Sequence, residues 1–272
     1  MSSLSTPASR PDEPGGRDPL LVVVDPAASR ADGESVRIAR DVLCGGADTK
    51  VALPESQSEL DRVLSHRGRR RPVVIGCDLA VQRVLQALHR QRDLGSDPIG
   101  VVPVGRPSAV GTCRGLGLPA EPVAAARTVL AGAPRKLDLL LDDGGGVVIA
   151  DLRVAGQVRR GPLSLRSLWA KLAAPDQATG AAPEQPWLRV EADGRLLADV
   201  HQRLRLLRAT PADGGLELVI ALDGRSERLR VTTLTVTGRG FGYTADGRTV
   251  HPVRHRTWTV HPGAWALMLP AG

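Results

Sequence analysis

The stretch Pro72-Val-Val-Ile-Gly76-Cys77-Asp78-Leu79-Ala80-Val81-Gln82-Arg83-Val84-Leu85 decides how the first half of this chain folds. Its opening residues are uniformly apolar over one strand length, the pattern of a strand buried on both faces of a parallel sheet. From Asp78 onward Leu79, Val81, Val84, Leu85 and Leu88 recur at helical spacing and make one apolar face, with Asp78 placed to cap the helix. Working outward, Leu20–Val24 is a second such strand ending in Asp25-Pro26, followed by a helix over Ser35–Leu43. Val51–Leu53 reads as a strand, Glu55–Leu64 as a helix, Ile99–Val102 as a strand and Pro122–Leu130 as a helix. This alternation predicts a doubly wound, three-layer α/β domain over residues 19–134.

Past Leu137 the rhythm changes. Leu137–Leu141, Val147–Val154, Trp187–Val190, Leu216–Leu222, Leu229–Thr237, Trp258–Val260 and Ala264–Leu269 read as strands separated by Asp-Gly or Pro-Gly turns. One helix is expected at Leu163–Leu172 and a surface loop at 173–186, so residues 135–272 predict a mostly β domain, a sandwich or open barrel. Met1–Arg17 is rich in Ser, Pro and Gly without an apolar core, which predicts a disordered leader and a cytoplasmic protein.

Composition narrows the function classes. The chain has 272 residues with 36 Lys+Arg against 29 Asp+Glu, a net charge of +7. Only three residues are lysine, so the basic character is arginine, and with four Trp, one Tyr and one Phe there are few rings for bases to stack on. Nucleic-acid binding is therefore not expected. No apolar run approaches the roughly 20 residues of a membrane span. The dense run His66-Arg67-Gly68-Arg69-Arg70-Arg71 reads as a solvated loop end, with an anionic phospholipid surface as its alternative partner. Cys44, Cys77 and Cys113 are too scattered for a disulfide framework or a zinc site, and the six histidines show no metal spacing. Cys77 sits near a helix start, where a thiolate is favoured, but a small buried filler is the stronger reading of it. The oligomeric state is open, a homodimer included.

Ligands of doubly wound sheets sit beyond the carboxyl ends of the strands. Those positions here are Asp25-Pro-Ala-Ala-Ser29-Arg30, Gly76-Cys77-Asp78-Leu79-Ala80 and Pro103-Val-Gly105-Arg106-Pro-Ser108. Their order resembles the diacylglycerol kinase catalytic-domain family, a group of lipid kinases distantly related to NAD kinases. That family has Asn-Pro-x-Ser-Gly after the first strand, Gly-Gly-Asp-Gly-Thr and then Asn-Glu-Val after the third, and Pro-x-Gly-Thr-x-Asn-Asp after the fourth. Arg114-Gly-Leu-Gly-Leu-Pro119, Pro211-Ala-Asp213-Gly-Gly-Leu216, Asp246-Gly247-Arg248 and Pro262-Gly263 match later family segments. The resemblance spans Leu20 to the C-terminus. It implies a nucleotide in the cleft between the two domains, contacted by Asp25, Ser29, Gly76, Asp78, Ala80, Gly105 and Arg106, with ATP and magnesium as cofactors and a lipid hydroxyl as acceptor. Asp213 then stands for a carboxylate linked to a structural magnesium, and Asp246 for the catalytic carboxylate.

The departures from that pattern bear on activity. Two of the family's three phosphate-loop glycines are replaced, by Cys77 and Leu79, and a leucine held at positive φ costs about 1 kcal/mol or more, so a differently shaped loop is expected. Ala80 stands where a threonine hydroxyl donates to phosphate, an interaction worth roughly 1.5–3 kcal/mol. Arg106 could replace a lost phosphate contact. Arg248 stands at the acid position of Asp-Gly-Glu, and arginine accepts no proton. Asp246-Gly247 and Asp213-Gly214 also read simply as hairpin turns. Two functions follow, an ATP-dependent lipid kinase and a catalytically inactive pseudokinase serving as a binding or regulatory module.

Overall fold

A computed structural model describes residues 19–155 and 188–271. The leader, the helix expected at Leu163–Leu172, the loop at 173–186 and Trp187 lie outside the described residues.

The first half builds strands β1 (Leu20–Val24), β2 (Thr49–Ala52), β3 (Arg71–Gly76) and β4 (Gly100–Pro103). Between them run helices α1 (Pro26–Ala31), α2 (Gly33–Gly46), α3 (Gln57–Ser65) and α4 (Asp78–Arg90). After β4 come a 3-10 turn at Pro107–Ala109, the short helix α5 (Gly111–Gly115) and α6 (Pro122–Ala131). The strands pair in parallel in the order β2-β1-β3-β4. Strand alternation splits the apolar residues between two faces. Leu20, Val22, Val24, Val73 and Ile75 pack with Val36, Ala39 and Leu43 of α2 and Ala125 and Val129 of α6. Leu21, Val23, Val74 and Val101 pack with Leu60 and Leu64 of α3 and Val84, Leu85 and Leu88 of α4. This is the doubly wound three-layer domain that the apolar runs predict.

The second half is a ten-stranded sheet of β5 (Ala133–Asp142), β6 (Val147–Val148), β7 (Leu152–Ala155), β8 (Leu188–Ala192), β9 (Arg195–Ala198), β10 (Leu204–Ala212), β11 (Gly215–Leu222), β12 (Arg225–Val231), β13 (Thr233–Ala245) and β14 (Arg248–Leu269). Its main path runs β12-β11-β10-β7-β13-β14-β5-β6, with β8 pairing off β13 and carrying β9. Side chains from strands across this sheet, among them Val190, Leu207, Ile220, Val236, Phe241 and Trp258, meet in a single core. The sheet therefore curls around its own interior.

Some element expectations change. The run Val147–Val154 is two strands, Leu229–Thr237 divides between β12 and β13, and the two C-terminal runs are one strand, β14. Pro252 and Pro262 do not break β14, because each falls where the register shifts and no ladder N–H is required. Helix α1 and strands β9 and β10 were not expected.

The halves are joined tightly. Ile99 donates to the Ala266 carbonyl at 2.7 Å and accepts from Met268 at 3.0 Å, so the end of β14 lies along the edge of the parallel sheet. Leu139, Leu141, Val147, Ile149, Trp265 and Leu267 of the second half share a core with α4. Buried between two sheets, α4 is the element on which the rest of the site depends.

Candidate functional site

A cavity of about 400 Å³ opens at the carboxyl ends of β1 and β3, lined by Asp25, Arg30, Pro54, Glu55, Cys77, Leu79, Ala80 and Arg83 among others. Its floor is fixed by backbone contacts. Asp25 N–H donates to the Ile75 carbonyl at 2.9 Å, tying the ends of the two strands, and the Asp25 carboxylate caps α1 through Ala27 N–H at 3.1 Å. Gly76 must be glycine here, since a Cβ would lie 2.8 Å from the Cβ atoms of both Ala80 and Asp25. The loop after β4 closes on the same point: Val104 N–H donates to the Gly76 carbonyl at 3.0 Å. Gly105, at φ +150°, would set a Cβ 3.5 Å from that of Cys77.

The turn into α4 is not a glycine-lined phosphate loop. Cys77 is the N-cap in extended conformation (φ −87°, ψ 175°), and Leu79 is already helical, so no residue between β3 and α4 needs positive φ. The expected cap by Asp78 is corrected, because its side chain makes no bond to α4. Its carboxylate instead accepts from Thr112 N–H at 2.8 Å and Cys113 N–H at 2.9 Å, the free amides opening α5, and is buried there. As the first residue of α4, Asp78 lies beside the loop after β4, and those two amides have no other acceptor as strong. The Cys77 thiol donates to Asp25 Oδ2 at 3.6 Å. Burial raises its pKa, the Ala80 and Leu79 amides pull it down, and the Asp25 carboxylate raises it further, with a net rise. Cys77 is thus a protonated thiol beside a carboxylate.

Of the remaining residues implied by the resemblance, Ala80 lines the cavity wall. Ser29 is half-buried inside α1, its N–H donating to the Asp25 carbonyl at 3.2 Å. Arg106 is exposed ahead of the 3-10 turn and does not line the cavity. Arg30 and Arg83, to which the family resemblance gives no role, do line it. Their signal was position alone, each lying within a few residues of a strand's carboxyl end.

Asp246 (φ +47°) and Gly247 (φ +80°) are the two loop residues of the β13–β14 hairpin, closed by the Ala245–Arg248 pair. The Asp246 carboxylate accepts from Ile149 and Ala150 N–H at 2.7 Å each, from Asp151 N–H at 2.9 Å and from Gln82 Nε2 at 2.6 Å. Burial raises its pKa, and these donors pull against that rise without cancelling it. Four donors leave no lone pair directed at a substrate. Asp213 (φ +49°) turns the β10–β11 hairpin at a second cavity of about 370 Å³, which Arg135, Lys136 and Asp138 also line. Asp138 accepts from Gly214 N–H at 2.6 Å and Gly263 N–H at 2.8 Å, so both its oxygens are engaged. Among the described residues no three His, Cys, Asp or Glu side chains are grouped to hold a metal, and of this carboxylate pair Asp138 is already engaged by two backbone amides.

The basic run is a solvated loop end only in part. Arg67 is buried, reaching Asp93 and Asp97 at 2.6 Å each, while Arg70 pairs with Asp48 at 2.9 Å and Arg71 donates to the Val129 carbonyl at 2.9 Å. Arg67, Arg70 and Arg71 are turned into the fold, while His66, Gly68 and Arg69 remain exposed as a solvated loop end.

No family model and no curated protein matches this chain. Among solved structures it is similar to a candidate diacylglycerol kinase from Bacillus anthracis str. Sterne, with a TM-score of 0.73 at 11% identity over 96% of this chain and 98% of the other. Two further structures from the same organism, one titled a diacylglycerol kinase and one a candidate, have TM-scores of 0.69 at 12% and 14% identity, each over 93% of this chain and 97% of the other. The described residues therefore share the fold of these structures.

Proposed function

We propose that this protein keeps the lipid-kinase fold as a binding or regulatory module that does not transfer phosphate. The observation that carries this reading is the start of α4, where a Cys77 thiol and the Asp25 carboxylate sit where a polyphosphate would need converging amides. A polyphosphate there meets a negative charge, and among the described residues no cluster of three metal-ligating side chains stands beside it. At the acceptor end Arg248 replaces an acid, and the neighbouring Asp246 is filled by four donors. A cytoplasmic protein that meets anionic lipid at the membrane surface fits this reading, and among the described residues no helix is long and apolar enough to cross a membrane.

The second reading is an ATP- and magnesium-dependent lipid kinase. The cavity of about 400 Å³ with two guanidinium groups on its wall favours it. Transfer of radiolabel from γ-labelled ATP to diacylglycerol and sphingoid bases in anionic micelles with magnesium separates the two. No labelled lipid is expected, and stoichiometric turnover would replace the first reading with the second.

A further inference from the structure

We infer that the cleft between α4 and the β13–β14 hairpin binds a phosphomonoester on the guanidinium groups of Arg83 and Arg248, without a divalent metal. This inference rests on the reading of the chain as a binding module. Arg83 lines both the cavity of about 400 Å³ and a smaller one of about 30 Å³, so it stands where the two meet. Arg248, the first residue of β14, lines the smaller cavity with Gln82, Gln86 and Tyr243. Both arginines are exposed, and among the described residues neither forms an ion pair, so both guanidinium groups are open to an anion in this shared cavity. Unpaired guanidinium groups on facing elements are the arrangement that captures a phosphate by paired N–H···O bonds.

The two elements are fixed to one another. Helix α4 is buried along most of its length, and the hairpin is latched to it by the Gln82–Asp246 bond of 2.6 Å. The facing acids favour the same place. Asp25 and Glu55 set two negative charges against Arg30 in the larger cavity, while the Asp246 charge is spread over its four donors. The anion is thereby directed to the arginine end, which the family pattern reserves for an acid and which here carries a cation able to take the place of a metal.

A phosphomonoester can come from a soluble metabolite or from a phosphatidic acid headgroup. The full chain is titrated calorimetrically in EDTA with glycerol 3-phosphate, and in parallel sedimented with phosphatidylcholine vesicles with and without phosphatidic acid. Saturable binding is expected in at least one arm, the first marking a soluble ligand and the second a headgroup. Arg83→Gln and Arg248→Gln should each weaken it about tenfold or more, and Arg127→Gln, exposed on α6, should not. No binding in EDTA, binding that appears only with magnesium, or unchanged binding by both variants overturns the inference. Phosphate transfer from ATP would instead overturn the reading of the protein as a non-transferring module, so the two failures are distinguishable.

Discussion

Gln82 Nε2 donates to Asp246 Oδ2 at 2.6 Å across 164 positions of sequence, joining the helix that follows β3 to the last hairpin of the β half. The same carboxylate collects three consecutive amides from the segment between β6 and β7. Asp246 is thus the knot that fixes the angle between the two halves at the cleft. Asp246→Ala leaves those donors without an acceptor and is expected to cost about 3–5 kcal/mol. At roughly 2–4 °C per kcal/mol the melting temperature falls by about 10 °C. A merely catalytic carboxylate would leave thermal unfolding unchanged.

Arg67 gives a second test. Its side chain is 6% exposed, and those of Asp93 and Asp97 are 31% and 39% exposed, so the network is partly screened. Arg67→Ala is expected to cost about 2–3 kcal/mol, below the figure for a fully buried pair. Burial pushes the Asp93 carboxyl up, but the Ser96 hydroxyl and Arg67 outweigh it and hold the pKa below its ordinary value. A depressed acid contributes stability that is full above its unfolded value, about 4, and is lost as pH falls through the folded one. The difference in melting temperature between the protein and Asp93→Asn should therefore hold from pH 8 to about 5 and close in stronger acid.

Gly76 tests the geometry of the cavity floor. Gly76→Ala places a methyl 2.8 Å from two Cβ atoms, both on elements held by backbone bonds. A loss of about 1–3 kcal/mol is expected in denaturant unfolding. A neutral result would mean that α1 and α4 can move apart at this point.

The cysteines should differ in reactivity. Cys44 is exposed, Cys77 half-buried with a raised pKa, and Cys113 buried with its pKa raised further by burial and Asp78. Since thiolate is the reactive species, alkylation at pH 8 followed by mass spectrometry should label Cys44 first, Cys77 slowly and Cys113 only on unfolding. Rapid labelling of Cys77 would show a thiolate at the start of α4.

The parallel half was legible because β1 and the interiors of β3 and β4 are apolar runs, whereas edge strand β2, Thr49-Lys-Val-Ala52, is only half-buried and starts two residues before its expected bound. The expected bounds of β1 match residue for residue, and the expected start of α4 at Asp78 is correct. Helix α1 was hidden since Pro26-Ala-Ala-Ser-Arg-Ala31 has no apolar face and is held by the Asp25 cap. Strand β10 was hidden because Leu204-Arg-Leu-Leu207 breaks alternation at a register shift. At the site, the absence of positive φ at Leu79 was readable from residue type. The destinations of Asp78 and Asp246 were not, because each is set by amides more than thirty positions away.

The proposed function requires that the start of α4 cradle no polyphosphate. Calorimetric titration of the full chain with ATP and magnesium tests it most directly. No saturable heat is predicted through the millimolar range, and a micromolar dissociation constant that depends on magnesium would contradict it.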